Sequence, residues 1–174
     1  MPSGYLLGIG SNVEPEKNVP AVLKALLDIS PQLYVSRVVR TTPEGMTSAH
    51  DFLNVVVLVP SELSPVALKC HTNRIEEALG RDRNAPDRKT RDRAADIDLL
   101  TRVSGPLWPE LAMIKESYLR PLAEELLDYL QQRPLRTANG VITAVQFDTV
   151  QLGQTPTAIY RDDRTGLIRI GEHR

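Results

Sequence analysis

The 174-residue chain has a single cysteine, Cys70. An internal disulfide framework is therefore excluded, as is a metal centre built on clustered thiolates. No apolar run approaches the eighteen or so residues of a membrane-spanning helix, and the first residues lack the basic-then-apolar pattern of a secretion signal. Neither sign of charge dominates, with 21 Lys and Arg against 22 Asp and Glu, so no global field draws the molecule to nucleic acid or to a membrane. The expectation is a cytoplasmic protein with neither a membrane nor a nucleic-acid partner. What is present is ordinary for one compact domain: 41% hydrophobic and 25% charged residues, enough to bury a sizeable core.

The hydrophobic pattern predicts an element order. Tyr5 to Ile9 is a short apolar strand closed by the turn Gly10-Ser11-Asn12. A helix follows, with Asn18 as its cap and Pro20 in its first turn, running through Val22, Leu23, Leu26, Leu27 and Ile29 to Ser30-Pro31. Leu33 to Arg40 reads as one strand, Thr41 to Asp51 as a loop, and Phe52 to Val59 as a near-continuous apolar strand. Ser64-Pro65 opens a second helix marked by Leu68, Ile75 and Leu79 and ended by Gly80. After a strand over Ala95 to Leu100, Pro121 opens a third helix with Leu122, Leu126, Leu127 and Leu130 on one side. The order β-α-β-β-α-β-α predicts an α+β fold: a ferredoxin-like, split βαβ sandwich on a mainly antiparallel sheet, over residues 1–130. Residues 131–174 read as a β-rich C-terminal extension, a hairpin turning at Asp162 to Gly166 and packed on the core.

The chemistry concentrates in residues 81–100, RDRNAPDRKTRDRAADIDLL. On a strand, Asp96 and Asp98 project from one face while Ile97 and Leu99 project from the other. Two such carboxylates form a hard oxygen site suited to Mg²⁺, which completes its shell with water and substrate phosphates, and the arginines before them suit phosphate oxygens. The same residues also read as solvated strand carboxylates, or as partners of nearby arginines in a self-neutralising charged loop. Both readings stay open at this level. His71 reads as a helix residue and His50 as a loop residue, neither with metal-ligand company.

In chain order, Gly10-Ser11-Asn12, Thr42-Pro43, Asp51-Phe52-Leu53-Asn54, Gly80-Arg81-Asp82-Arg83 and Arg93-Ala94-Ala95-Asp96-Ile97-Asp98-Leu99-Leu100 resemble the 6-hydroxymethyl-7,8-dihydropterin pyrophosphokinase family of folate biosynthesis. The resemblance implies that ATP gives its terminal pyrophosphoryl unit to the pterin hydroxymethyl group, releasing AMP, with ATP as co-substrate and two Mg²⁺ ions. It implies metal binding by Asp96 and Asp98, ATP binding by Arg81, Arg83, Arg93 and Ile97, and catalytic roles for Arg83, Arg93 and Asp98. On the pterin side it implies Asn54 as the residue that reads the heterocycle edge, Phe52 and Tyr118 as the aromatic pair around the ring, and Thr42, Pro43 and Gly45 as pocket lining.

The chain also departs from that pattern. The family tryptophan ahead of Arg93 is missing from Asp87 to Asp92, Trp108 lying elsewhere; Pro109-Glu110 stands for a Pro-His pair, and Glu116 for an arginine. Arg88, Lys89 and Arg91, on a longer loop, are candidates to compensate. These departures support a second reading, a pterin-binding relative with lost or altered catalysis. A third reading, an RNA-contacting α+β module, has the basic loop in its favour but lacks exposed sheet aromatics and a basic net charge.

Overall fold

A computed structural model describes residues 2–43, 48–105, 107, 109–135 and 140–171. Its elements are β1 (Gly4–Ser11), α1 (Pro15–Leu26), β2 (Gln32–Val35), β3 (Val39–Thr41), β4 (Phe52–Pro60), α2 (Pro65–Ala78) and β5 (Asp96–Val103). A 3₁₀ turn (Leu111–Met113), α3 (Arg120–Leu130), β6 (Val141–Ile142), β7 (Val145–Phe147), β8 (Val150–Leu152), β9 (Thr157–Arg161) and β10 (Ile168–Gly171) follow. The fold is α+β. The main sheet runs β10-β9-β2-β4-β1-β5 with every pairing antiparallel, and β3 and β6 lie beside the near end of β4. Among the described residues no helix is long and apolar enough to cross a membrane.

β1 and β4 are near-continuous apolar runs because both their faces are covered. Tyr5, Leu7, Ile9, Leu53, Val55, Val57 and Val59 face one layer, with Val19, Val22, Leu23 and Leu26 of α1 and Leu68 of α2. Leu6, Val56 and Leu58 face the other, against Leu122, Ala123, Leu126 and Leu130 of α3. Two helices therefore cover one side of the sheet and the third covers the opposite side. The hairpin β9–β10 extends the sheet through β2, with Asp162 and Gly166 closing its turn by the Gly166 N–H donating to Asp162 O at 2.7 Å.

Two expectations need correction. α1 begins at Pro15 rather than after Asn18; Pro15 occupies the first turn, where its missing N–H costs nothing, and Pro20 lies inside the helix. Asn18 is buried and donates from Nδ2 to Val13 O at 2.6 Å, tying down the preceding turn instead of capping. The strand read over Leu33 to Arg40 is broken into β2 and β3. Val35 pairs with Val57 and Val39 with Asn54, so three residues on the edge oppose two on β4, the count of a β-bulge. Ser36 repairs the ladder: its N–H donates to Val56 O and its Oγ accepts from Val56 N, both at 2.9 Å. Arg37, released from the ladder, turns inward and pairs with Glu125 of α3 at 2.7 Å, both side chains almost fully buried.

Candidate active site

The register of the sheet assembles the site. Gly10 pairs with Asn54 on one side and Asp96 on the other; Gly8 pairs with Val56 and Asp98. Directly opposed residues share a face, so Asn54, Gly10 and Asp96 form a row with Asp98 one step along it. A Cβ on Gly10 would lie 3.1 Å from Asn54 Oδ1 and one on Gly8 2.6 Å from Leu119 Cδ1. Bare backbone at these two positions leaves room for a cavity of about 310 Å³. Thr41, Thr42, Phe52 and Asn54 line its β4 side, Asp96 and Asp98 its β5 side, Lys89 and Arg93 reach in from the arginine loop, and Tyr118 and Leu119 arrive just ahead of α3. Asn54 donates from Nδ2 to Thr41 Oγ1 at 2.5 Å, which sets the plane of its amide.

Asp96 and Asp98 do project from one face, and Ile97 is buried on the other; Leu99 shares that other face but is exposed. The two carboxylates differ in their surroundings. Arg81 Nη1 donates to Asp96 Oδ1 at 2.7 Å and Arg93 Nη1 to Asp96 Oδ2 at 2.6 Å, so both oxygens are held by guanidinium groups. No guanidinium reaches Asp98 among the described residues. Burial, with the nearby charges of Asp96 and Glu116, pushes its carboxyl up from 3.8 to about 6, only partly opposed by Lys69. Among the described residues no three His, Cys, Asp or Glu side chains form a ready metal cage.

Arg81 also approaches Glu76 of α2, at 3.7 Å, so the contacts of the arginine loop extend from Asp96 to that helix. Arg83 lies against α2, donating from Nη2 to Asn73 Oδ1 at 2.7 Å and to Glu76 Oε2 at 2.5 Å, and is not among the cavity walls. Glu76, buried on α2, also accepts the Ile97 N–H at 2.8 Å, so Ile97 presents its backbone to the outer edge of the sheet. From its sequence position Glu76 reads as part of a solvated helix face, and the structure buries it instead. Its only sequence signal is one charged residue on the inward side of an amphipathic helix.

Asn12 links the two flanking loops. Its Nδ2 donates to Asp92 Oδ1 at 2.9 Å and to His50 O at 3.5 Å, while its Oδ1 accepts the Arg93 N–H at 2.6 Å. Asn12 N also donates to Arg93 O at 3.0 Å. The backbone of Arg93 is thus fixed before its guanidinium reaches Asp96. The Ser48 hydroxyl first, then Asn12 and His50, hold the Asp92 carboxyl below the usual range. Pro43 is described but does not line the cavity, and Gly45 lies outside the described residues. Gly8, Asn12, Lys89 and Leu119 carry no site role from sequence; Asn12 enters there only in the Gly10-Ser11-Asn12 turn and Lys89 only as one of three compensating cations.

Residues 6–126 match the 7,8-dihydro-6-hydroxymethylpterin-pyrophosphokinase family. A Porphyromonas gingivalis protein named 2-amino-4-hydroxy-6-hydroxymethyldihydropteridine pyrophosphokinase is 35% identical over 96 residues, 54% of this chain and 65% of its own length. A Methylorubrum extorquens protein of the same name is 31% identical over 131 residues, 74% of this chain and 81% of its own. One from Haemophilus influenzae is 33% identical over 97 residues, 54% of this chain and 59% of its own. The chain therefore spans slightly less than two thirds of the Porphyromonas relative, and the matched stretch ends inside α3. With the family matched over most of its length, the chain belongs to the 7,8-dihydro-6-hydroxymethylpterin-pyrophosphokinase family.

Proposed function

We propose that the protein transfers pyrophosphate from ATP to 6-hydroxymethyl-7,8-dihydropterin, releasing AMP, in a cytoplasmic setting. One observation carries the reading: a single cavity sets an asparagine and two aromatic side chains beside two aspartates and an arginine, in a chain of this family. With one N–H of Asn54 given to Thr41, its second N–H and its Oδ1 remain for a heterocycle edge. Phe52 and Tyr118 supply apolar surface for the ring, and Thr42 closes the wall. Arg93 and Lys89 face the same space and suit the phosphate chain, which Arg81 supports from behind Asp96.

The residues present fit Mg²⁺. Asp98 is a hard oxygen donor whose carboxyl is raised first by burial and then by the neighbouring charges of Asp96 and Glu116, so a cation beside it would relieve both. Asp98, with Asp96, would hold the metal, two ions by family resemblance, and the metal would supply charge neutralisation on the phosphate oxygens. The protein's own contribution is positioning: it brings the pterin hydroxyl and the β-phosphorus together in one cavity and closes the Asn12-linked loops around them.

Incubation with ATP, Mg²⁺ and hydroxymethyldihydropterin, followed by chromatography of nucleotides and pterins, is expected to yield AMP and pterin diphosphate in equal amounts. Absence of AMP under conditions where a family enzyme turns over refutes the proposal. Pterin binding without turnover would instead support a relative with lost catalysis, a reading favoured by the Glu116 charge beside Asp98.

A further inference from the structure

We infer that residues 141–153 belong to the pterin site: they grip from behind the strand that forms the pocket wall and thereby set the affinity for the heterocycle. The inference rests on the pyrophosphokinase reading above. β3 has only three residues, and its inner edge pairs with β4 through Val39 with Asn54 and Thr41 with Phe52. Its outer edge is covered by β6, where Val39 pairs with Ile142 and Arg40 with Val141. Just before it, Val38 N donates to Gly153 O at 3.0 Å and Val38 O accepts from Thr143 N at 2.9 Å. All of these outer contacts come from residues beyond the family match, which ends at 126.

The grip is close and anchored. Gly153 adopts φ +102, and a Cβ there would lie 2.4 Å from Thr143 O and 2.9 Å from Val38 Cβ. Val145, Phe147 and Leu152, on either side of the β7–β8 turn, are buried in the core beneath α1. A three-residue edge strand without this second edge is short enough to fray. Fraying would withdraw Thr41, release the Asn54 amide from the plane that Thr41 sets, and open the pterin wall. Asp96 and Asp98 stand on β5, across β1 from β4, and among the described residues β5 pairs with no strand of this segment.

The test uses two variants of the full chain, Gly153→Ala, which forces bulk into the contact, and Thr143→Pro, which removes the single donor to Val38 without filling the space at Gly153. Calorimetry first establishes wild-type binding of hydroxymethyldihydropterin; failure there counts against the pyrophosphokinase reading and removes the ground of this inference with it. With binding established, each variant is expected to bind pterin about tenfold more weakly, to bind Mg²⁺ with a non-hydrolysable ATP analogue within twofold of wild type, and to retain kcat at saturating pterin. Amide exchange at Val39 to Thr41 should accelerate in the absence of any ligand. Pterin affinity unchanged in folded variants, or pterin and nucleotide affinities falling together, overturns the inference while leaving the pyrophosphokinase reading intact.

Discussion

Replacing Asp98 by asparagine should stabilise the protein, and the size of the gain follows from its surroundings. The folded carboxyl titrates at about 6 instead of 3.8, chiefly because of burial and then because of Asp96 and Glu116. A shift of that size corresponds to a ceiling of roughly 3 kcal/mol. Asp98 is not fully buried, and solvent screening reduces the expected effect to about 1–2 kcal/mol. The sign is that of a raised acid: folding is unpenalised below the unfolded pKa near 4, loses stability as pH rises to about 6, and carries the full penalty above it. An asparagine side chain cannot ionise, so Asp98→Asn should match wild type at pH 4 and exceed it by roughly 2–8 °C in Tm at pH 7.5. Thermal unfolding between pH 4 and 8 in chelator reads this directly. Millimolar Mg²⁺ should narrow the gap by stabilising wild type alone. A gain independent of pH, or a variant less stable than wild type at pH 7.5, would refute the reasoning.

Three further outcomes can be measured. Asn54→Ala should weaken pterin binding by about 10- to 100-fold through lost hydrogen bonds, with nucleotide affinity unchanged by calorimetry. Lys89→Met should weaken Mg-nucleotide binding about tenfold, whereas Arg88→Met and Arg91→Met, which are not cavity walls, should stay within twofold. Glu125→Ala should cost about 3–5 kcal/mol in urea unfolding, because it leaves Arg37 buried and unpaired; restoring most of that loss by also replacing Arg37 with methionine would identify the charge as the cause.

Local signals were legible wherever one residue type has one structural use. Ser64-Pro65 opens α2 with the Ser64 hydroxyl accepting from Ala67 N at 3.2 Å, and Gly80 ends it at φ +102. The apolar runs of β1 and β4 announced central strands. The alternation of Asp96, Ile97 and Asp98 predicted which side chains share a face, since strand geometry alone decides it. Events that depend on distant partners were not legible. The break at Ser36 to Val38 exists because Arg37 meets a carboxylate 88 residues further along the chain. Pro20 suggested a first turn, yet Pro15 had already supplied one. The cavity follows the same division: Asn54, Phe52 and Tyr118, pointed to by the family resemblance, and the alternating aspartates do line it, whereas the Gly8–Gly10 floor is visible only once register sets those glycines opposite Asp98 and Asp96. Arg83 carries the same motif signal as Arg93, but Glu76 and Asn73 of α2 hold it away from the cavity walls.

The two guanidiniums on Asp96 turn ligand capture into an exchange of partners. An arriving phosphate that takes Arg81 or Arg93 strips one of the two counterions of Asp96 and frees one of its oxygens for a cation. A divalent ion that takes Asp96 leaves an arginine seeking an anion. On the proposed function, a nucleotide that frees an Asp96 oxygen makes room for the metal and a metal that takes Asp96 releases guanidinium for phosphate, so each should tighten the other's hold by the same factor. On that reading the clamp would act as a thermodynamic coincidence detector, answering to the metal–nucleotide complex more than to either component.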